Sequence, residues 1–264
     1  MEITQENKLE ELLRLATNEP AHRPQFCDVL MDSTIFLLGR TEESGTDETI
    51  NLKAGSQVQI QHWEKADGSP AIPFFSSLEV LQKSIDNEQS YLSLPLRSLF
   101  EITKGATLVL NPKSNYSKEF VPEEVVQLLS IGVSRAPLER VIEKKTNVLL
   151  SQPANYPTKM VDSLTQLFAK HPHVKKAYLA MMLDASAGEK PHLIVGVDIE
   201  GEMDKVVRDA INVAADTSEG EAVDFYRVKE DESGVSAYFI NDTEPFYERK
   251  WGTKIRSWFG VGHA

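Results

Sequence analysis

The second half of the chain constrains the fold most, because the period of its apolar residues changes from segment to segment. In KMVDSLTQLF, Met160, Val161, Leu164, Leu167 and Phe168 recur at helical spacing, whereas VKKAYLAMML and PHLIVGVDI are apolar runs of strand length joined by the turn-rich DASAGEK. EMDKVVRDAINVAA is helical again, with Met203, Val206, Val207, Ala210, Ile211 and Ala214 on one side. AVDFYRV and VSAYFI read as two more strands about the turn EDESG. The order helix, strand, strand, helix, strand, strand predicts a mainly antiparallel sheet with helices on one face.

The first half mixes the same two periods. Leu9, Leu12, Leu13 and Ala16 mark an opening amphipathic helix, and Pro24 suits the first turn of a short second helix carrying Phe26, Val29 and Leu30. STIFLLGR reads as a strand, and RTEESGTDETINLKAGS (40–56) as an exposed loop. VQIQHW alternates, which predicts one half-buried strand with Val58, Ile60 and His62 on the core face. Its partner is AIPFF across the Asp67-Gly68 turn, with Pro73 arguing for an edge position or a bulge. Ser76 and Glu79 have capping-box spacing, and Phe75 and Val80 have that of a hydrophobic staple, so a helix of about ten residues is expected to follow and to end near Asp86. YLSLP (strand), LRSLFEIT (helix), ATLVLNP (strand) and KEFVPEEVVQLL (extended entry, then a helix opened by Pro122) complete this half. Periodicity fades between Gly132 and Ala154, which places a connection between two domains there. The fold class is therefore α+β, with two mixed α/β domains over residues 1–150 and 151–264.

Chemistry is sparse. No glycine-rich phosphate cradle, Walker loop, HExxH or GxSxG occurs, so no cofactor is expected. Cys27 is the only cysteine, which rules out an intramolecular disulfide and a cysteine zinc cage and suits a reducing cytoplasm. His22 and Arg23 lie near enough in sequence to activate it, but its place between Phe26 and Val29 favours a small core residue. His171 and His173 flank Pro172 at a helix end, where a cation is stabilised by the dipole, so a capping or surface role is preferred to metal binding. A net charge of −12 opposes nucleic-acid binding, and no apolar run has the length of a membrane span.

The last residues differ in kind. From Pro245 onward four cations face one carboxylate, +3 in all, which leaves −15 on the preceding residues. Phe246, Tyr247, Trp251, Trp258 and Phe259 lie among Arg249, Lys250, Lys254 and Arg256. Such a segment either packs on its own domain or docks on a partner, and a protein is the favoured partner because Trp, Tyr and Arg are enriched at binding hot spots.

Several blocks, EPAHRPQF, HWEKADG followed by IPFFSSLE, LFEITKGATLVLNP, KEF and PFYERKWG, resemble in this order the enhanced serine sensitivity protein SseB family of bacteria, across essentially the whole chain. The resemblance implies an N-terminal SseB domain and a distinct C-terminal one. It implies an effect on serine sensitivity and not a reaction, and it brings no catalytic residues to carry over. Related N-terminal domains resemble immunity-type proteins, a further reason to expect binding. The loop 40–56 and the tail after Gly252 match the family least.

The function expected is that of a non-catalytic cytoplasmic interaction or regulatory protein in serine or sulfur-amino-acid physiology, acting through a protein partner. Its candidate contact residues are His62, Trp63, Phe246, Tyr247, Arg249 and Trp251. The alternatives are a small-molecule enzyme or sensor for serine or a thiol, using Cys27, His22 or His62, and an immunity protein that binds a toxin. The identity of the partner and the oligomeric state stay open.

Overall fold

The structure, a computed structural model, describes residues 7–41, 58–130, 148–184 and 190–250. These form two compact units, one from the residues up to Ser130 and one from Val148 onward. The α+β class stands, with a mixed sheet in each unit.

In the first unit, helices α1 (Lys8–Asn18), α2 (Arg23–Met31), α4 (Leu96–Ile102) and α5 (Pro122–Ser130) pack on one face of a sheet. The strands are β1 (Thr34–Thr41), β2 (Val58–Ile60), β3 (Trp63–Glu64), β4 (Pro70–Phe75), β5 (Tyr91–Pro95), β6 (Leu108–Leu110) and β7 (Lys118–Phe120). The core on this face joins Leu9, Leu12, Leu13 and Ala16 of α1 to Phe74, Phe100 and Phe120, whose rings meet in pairs 5.7–6.3 Å apart. Cys27 packs against this core, half-buried. Helix α3 (Leu78–Ser84) lies on the opposite face over Leu38 and Phe75.

Three local expectations are corrected. VQIQHW is two strands, because its residues change partner: β2 pairs antiparallel with the end of β1 (Gly39↔Ile60, Thr41↔Val58), and β3 pairs with the start of β4 (Trp63↔Ala71). Gln61 and His62 fall between the two pairings and belong to neither strand, and His62 is exposed and not turned to the core. Pro73 is on neither an edge strand nor a bulge, since β4 lies between β1 and β6. Ile72 N–H donates to Thr107 and Phe74 C=O accepts from Asn111, which turns position 73 to the other side; there β3 pairing ends at Ala71 and β1 pairing begins at Phe74, so no ladder N–H is missed. The cap of α3 is Ser77, whose side chain accepts from Val80 N–H, and the helix has 7 residues and stops at Ser84. Ser76 is engaged elsewhere, as described below.

The second unit has the sheet order β11 (Val223–Arg227), β10 (His192–Ile199), β9 (Val174–Asp184), β12 (Tyr247–Glu248), with β8 (Val148–Ser151) also on β9. β8 starts ahead of the expected division at residue 150. All of the pairings are antiparallel except β10 with β11. Helices α6 (Thr158–Lys170) and α7 (Asp204–Thr217) supply the predicted stripes, with α7 slightly rotated so that Asp209 and Thr217 are buried and Ile211 is exposed. VSAYFI is not a strand but the start of helix α8 (Val235–Asp242), which covers the face that presents Tyr178, Ala180 and Ile194. Val235 and Phe239, four apart, are buried together against the sheet, and Gly196 makes room for Phe239: a β-carbon there would stand 2.7 Å from its ring.

Candidate interaction surface

On the α3 face of the first sheet, aromatic rings run from strand to strand. Tyr91 and Phe36 have centroids 6.2 Å apart, Phe36 is the cross-strand partner of Phe75, and Trp63 meets Phe75 edge-on at 6.1 Å. Lys113 Nζ lies 4.9 Å from the Trp63 ring centre and donates to the Ser84 carbonyl at the end of α3. Phe75 is buried, Phe36 and Trp63 are half-buried, and Tyr91 is 47% exposed. His62 is exposed one residue before Trp63. The neighbouring turn is held by Asp67, whose carboxylate accepts from Ser69 N–H and Oγ; those bonds, more than nearby Lys65, keep Asp67 below the usual carboxylate range. Lys65 in turn is raised by its bond to Glu119 and by Asp67.

The C-terminal candidates are employed inside their own unit. The Phe246 ring stacks on Phe168 at 6.2 Å, and the Tyr247 hydroxyl donates to the Phe168 carbonyl. Arg249 Nη2 donates to the carbonyls of Phe168, Ala169 and His171, and its Nε to that of Val174. These groups satisfy the open C-terminal carbonyls of α6. Trp251, like Trp258 and Phe259, lies outside the described residues.

A polar network that local spacing did not reveal joins three elements of the first unit. Asn7 caps α1 by accepting from Glu10 N–H at 2.9 Å, and the Glu10 carboxylate accepts from Asn7 Nδ2, Ser76 Oγ and Ser77 Oγ at 2.8–3.0 Å. Asn111, in the left-handed region at φ 50°, accepts from Ser76 N–H and donates to Ser76 Oγ. Asn7 and Glu10 have capping-box spacing, which is readable in sequence; the bridge from residue 10 to residues 76 and 111 is not. Every member is engaged, which suits a structural clamp.

Two histidine–carboxylate pairs occur in the second unit, His171 with Asp209 at 3.3 Å and His192 with Asp224 at 3.0 Å. Burial pushes the carboxyl of Asp198 up, opposed by Lys175 and assisted by Glu230. Among the described residues, no group of three or more His, Cys, Asp or Glu side chains is placed to hold a metal, and no helix is long and apolar enough to cross a membrane.

Comparison of the chain with known proteins finds two family models, one for each unit. Residues 9–127 match the SseB protein N-terminal domain and residues 142–249 the SseB protein C-terminal domain. The chain belongs to the SseB family. Among SseB relatives, Protein SseB of Escherichia coli (strain K12) and Protein SseB of Shigella flexneri are each 38% identical over 253 residues, which is 95% of this chain and 95% of theirs. No solved structure matches. The SseB C-terminal match ends at Arg249, the residue that closes α6.

Proposed function

We propose that this SseB-family chain is a non-catalytic interaction or regulatory protein of the cytoplasm, that its partner is a protein, and that it acts in serine or sulfur-amino-acid physiology. The observation that carries the binding part is the aromatic row Tyr91, Phe36, Phe75 and Trp63 with Lys113 stacked at its end. Tyr and Trp combine large apolar area with little conformational entropy to lose, and partly exposed rings on a rigid sheet suit a protein surface. Phe246 and Tyr247, by contrast, are spent on α6. The link to serine physiology rests on the family resemblance.

Affinity capture on the full-length chain tests this reading. A specific protein should be retained and should be lost in the Trp63→Ala, Tyr91→Ala double variant while circular dichroism is unchanged. Retention equal to the parent's in that variant, or no partner above background for the parent, would overturn it.

A further inference from the structure

A concavity of about 370 Å³ opens at the other end of β1, lined by Gly39, Arg40, Gln59, Ile60, Gln61, Gln89 and Ser90. It forms where β5 leaves β1: Gly39 N–H donates to the Ser90 carbonyl on one flank, and Gln61 N–H donates to the Leu38 carbonyl on the other. Gly39 lets β1 approach its neighbours closely here, since a β-carbon there would lie 2.6 Å from Gln59 O and 3.0 Å from Leu92 Cδ1. The volume is at the lower end of the range for sites that take one small metabolite.

The lining has one chemical bias. Among the described residues that line it, three primary amides and a hydroxyl surround one guanidinium, in a chain of net charge −12. Arg40 Nε donates to Gln59 Oε1 at 2.9 Å, which orients the guanidinium, and neither terminal nitrogen makes a hydrogen bond among the described residues. An oriented guanidinium fork matches a planar carboxylate in bidentate geometry. Glutamine amides can both donate to and accept from the rest of a polar ligand, and Ile60 offers a short apolar wall.

We infer that this concavity binds a small polar molecule through its carboxylate, with Arg40 as the anchoring residue. The carboxylate belongs either to a free amino acid or to a peptide C-terminus. The inference is independent of the aromatic surface, which Trp63 and Tyr91 test separately.

Isothermal titration calorimetry on the full-length chain, with L-alanine, N-acetyl-L-alanine, acetyl-trialanine, L-alaninamide and inorganic phosphate as probes, decides it. Saturable binding is expected for at least one of the three carboxylates and none for L-alaninamide. Arg40→Gln should weaken that binding roughly tenfold or more, and Arg40→Lys should weaken it too because a point charge has no fork, with the melting temperature unchanged for both exposed-site variants. Preference for acetyl-trialanine assigns a peptide terminus, and preference for L-alanine a free amino acid. Absence of saturable carboxylate binding, tighter binding of phosphate or L-alaninamide, or undiminished binding in Arg40→Gln would overturn the inference.

Discussion

Arg249 closes the end of helix α6 from a position 78 residues further along the chain, its Nη2 lying 2.7 Å from the His171 carbonyl. The same nitrogen reaches the Phe168 and Ala169 carbonyls, while Nε takes Val174. Replacing Arg249 by Ala leaves these acceptors to water and is expected to lower stability by about 2 kcal/mol, the scale of hydrogen bonds to a charged donor. Arg249→Lys should recover only part of this, because one ammonium cannot span the same set of carbonyls. Urea titration of the three proteins measures both differences.

Gly196 and Phe239 are bound by space. A methyl at Gly196 would overlap the ring at 2.7 Å and also meet Val228 at 2.9 Å. Gly196→Ala should therefore destabilise by about 1–3 kcal/mol, as overpacking does in a filled core. Phe239→Ala creates a cavity and should lower stability by about 3–5 kcal/mol. The double variant should be more stable than the sum of the two losses predicts, because the added methyl occupies vacated space. Thermal melts of the four proteins complete the cycle; strict additivity would refute the contact.

Asn111 has two tasks, to occupy φ 50° and to hold Ser76 by two hydrogen bonds. Asn111→Gly retains the first task and Asn111→Ala neither. Both should be destabilised by about 1–3 kcal/mol for the buried Ser76 groups left unpaired, with Ala the worse by about 1 kcal/mol for its left-handed backbone. Equal melting temperatures for Gly and Ala would show that the backbone conformation contributes nothing.

Asp198 gives a pH signature. Because burial raises its carboxyl above the ordinary 3.8, the folded chain holds this proton more tightly than the unfolded chain does. Its contribution to stability is therefore fully present below pH 3.8 and is lost as pH rises through the raised folded value. Asp198→Asn is neutral throughout, so its stability relative to the parent should increase with pH across that window and then level off. Guanidinium melts of both proteins between acid and neutral pH test the sign, and a relative stability that falls with pH would contradict it.

The residues that sequence reading placed well are those whose partners are near in the chain. The α1 stripe, the helical residues of α6, the Asp67-Gly68 turn and the strand YLSLP each follow from local period and turn chemistry. The misplacements share one cause, long-range pairing. The alternation of VQIQHW puts His62 on the core face, but the segment exchanges β1 for β4 as its partner, and the break in pairing falls at His62. VSAYFI has the β-branched and aromatic content of a strand, yet the space above Gly196 accepts it as a helix. Ser76 has cap spacing to Glu79, but Glu10 and Asn111 compete for its hydroxyl and win, and Ser77 takes over the cap.

Among the candidate contact residues, tertiary structure divided what composition had grouped. Phe246, Tyr247 and Arg249 resemble an interaction motif in one dimension, but the carbonyls at the end of α6 need donors, and this segment supplies them. Trp63, packed edge-on against Phe75, keeps part of its surface exposed. The sequence by itself determined the class, the two-part organisation and the family, since these depend on period and on ordered blocks of residues. Which aromatic and basic residues are available to a partner was decided only by tertiary structure, because availability depends on what else in the folded chain needs the same groups.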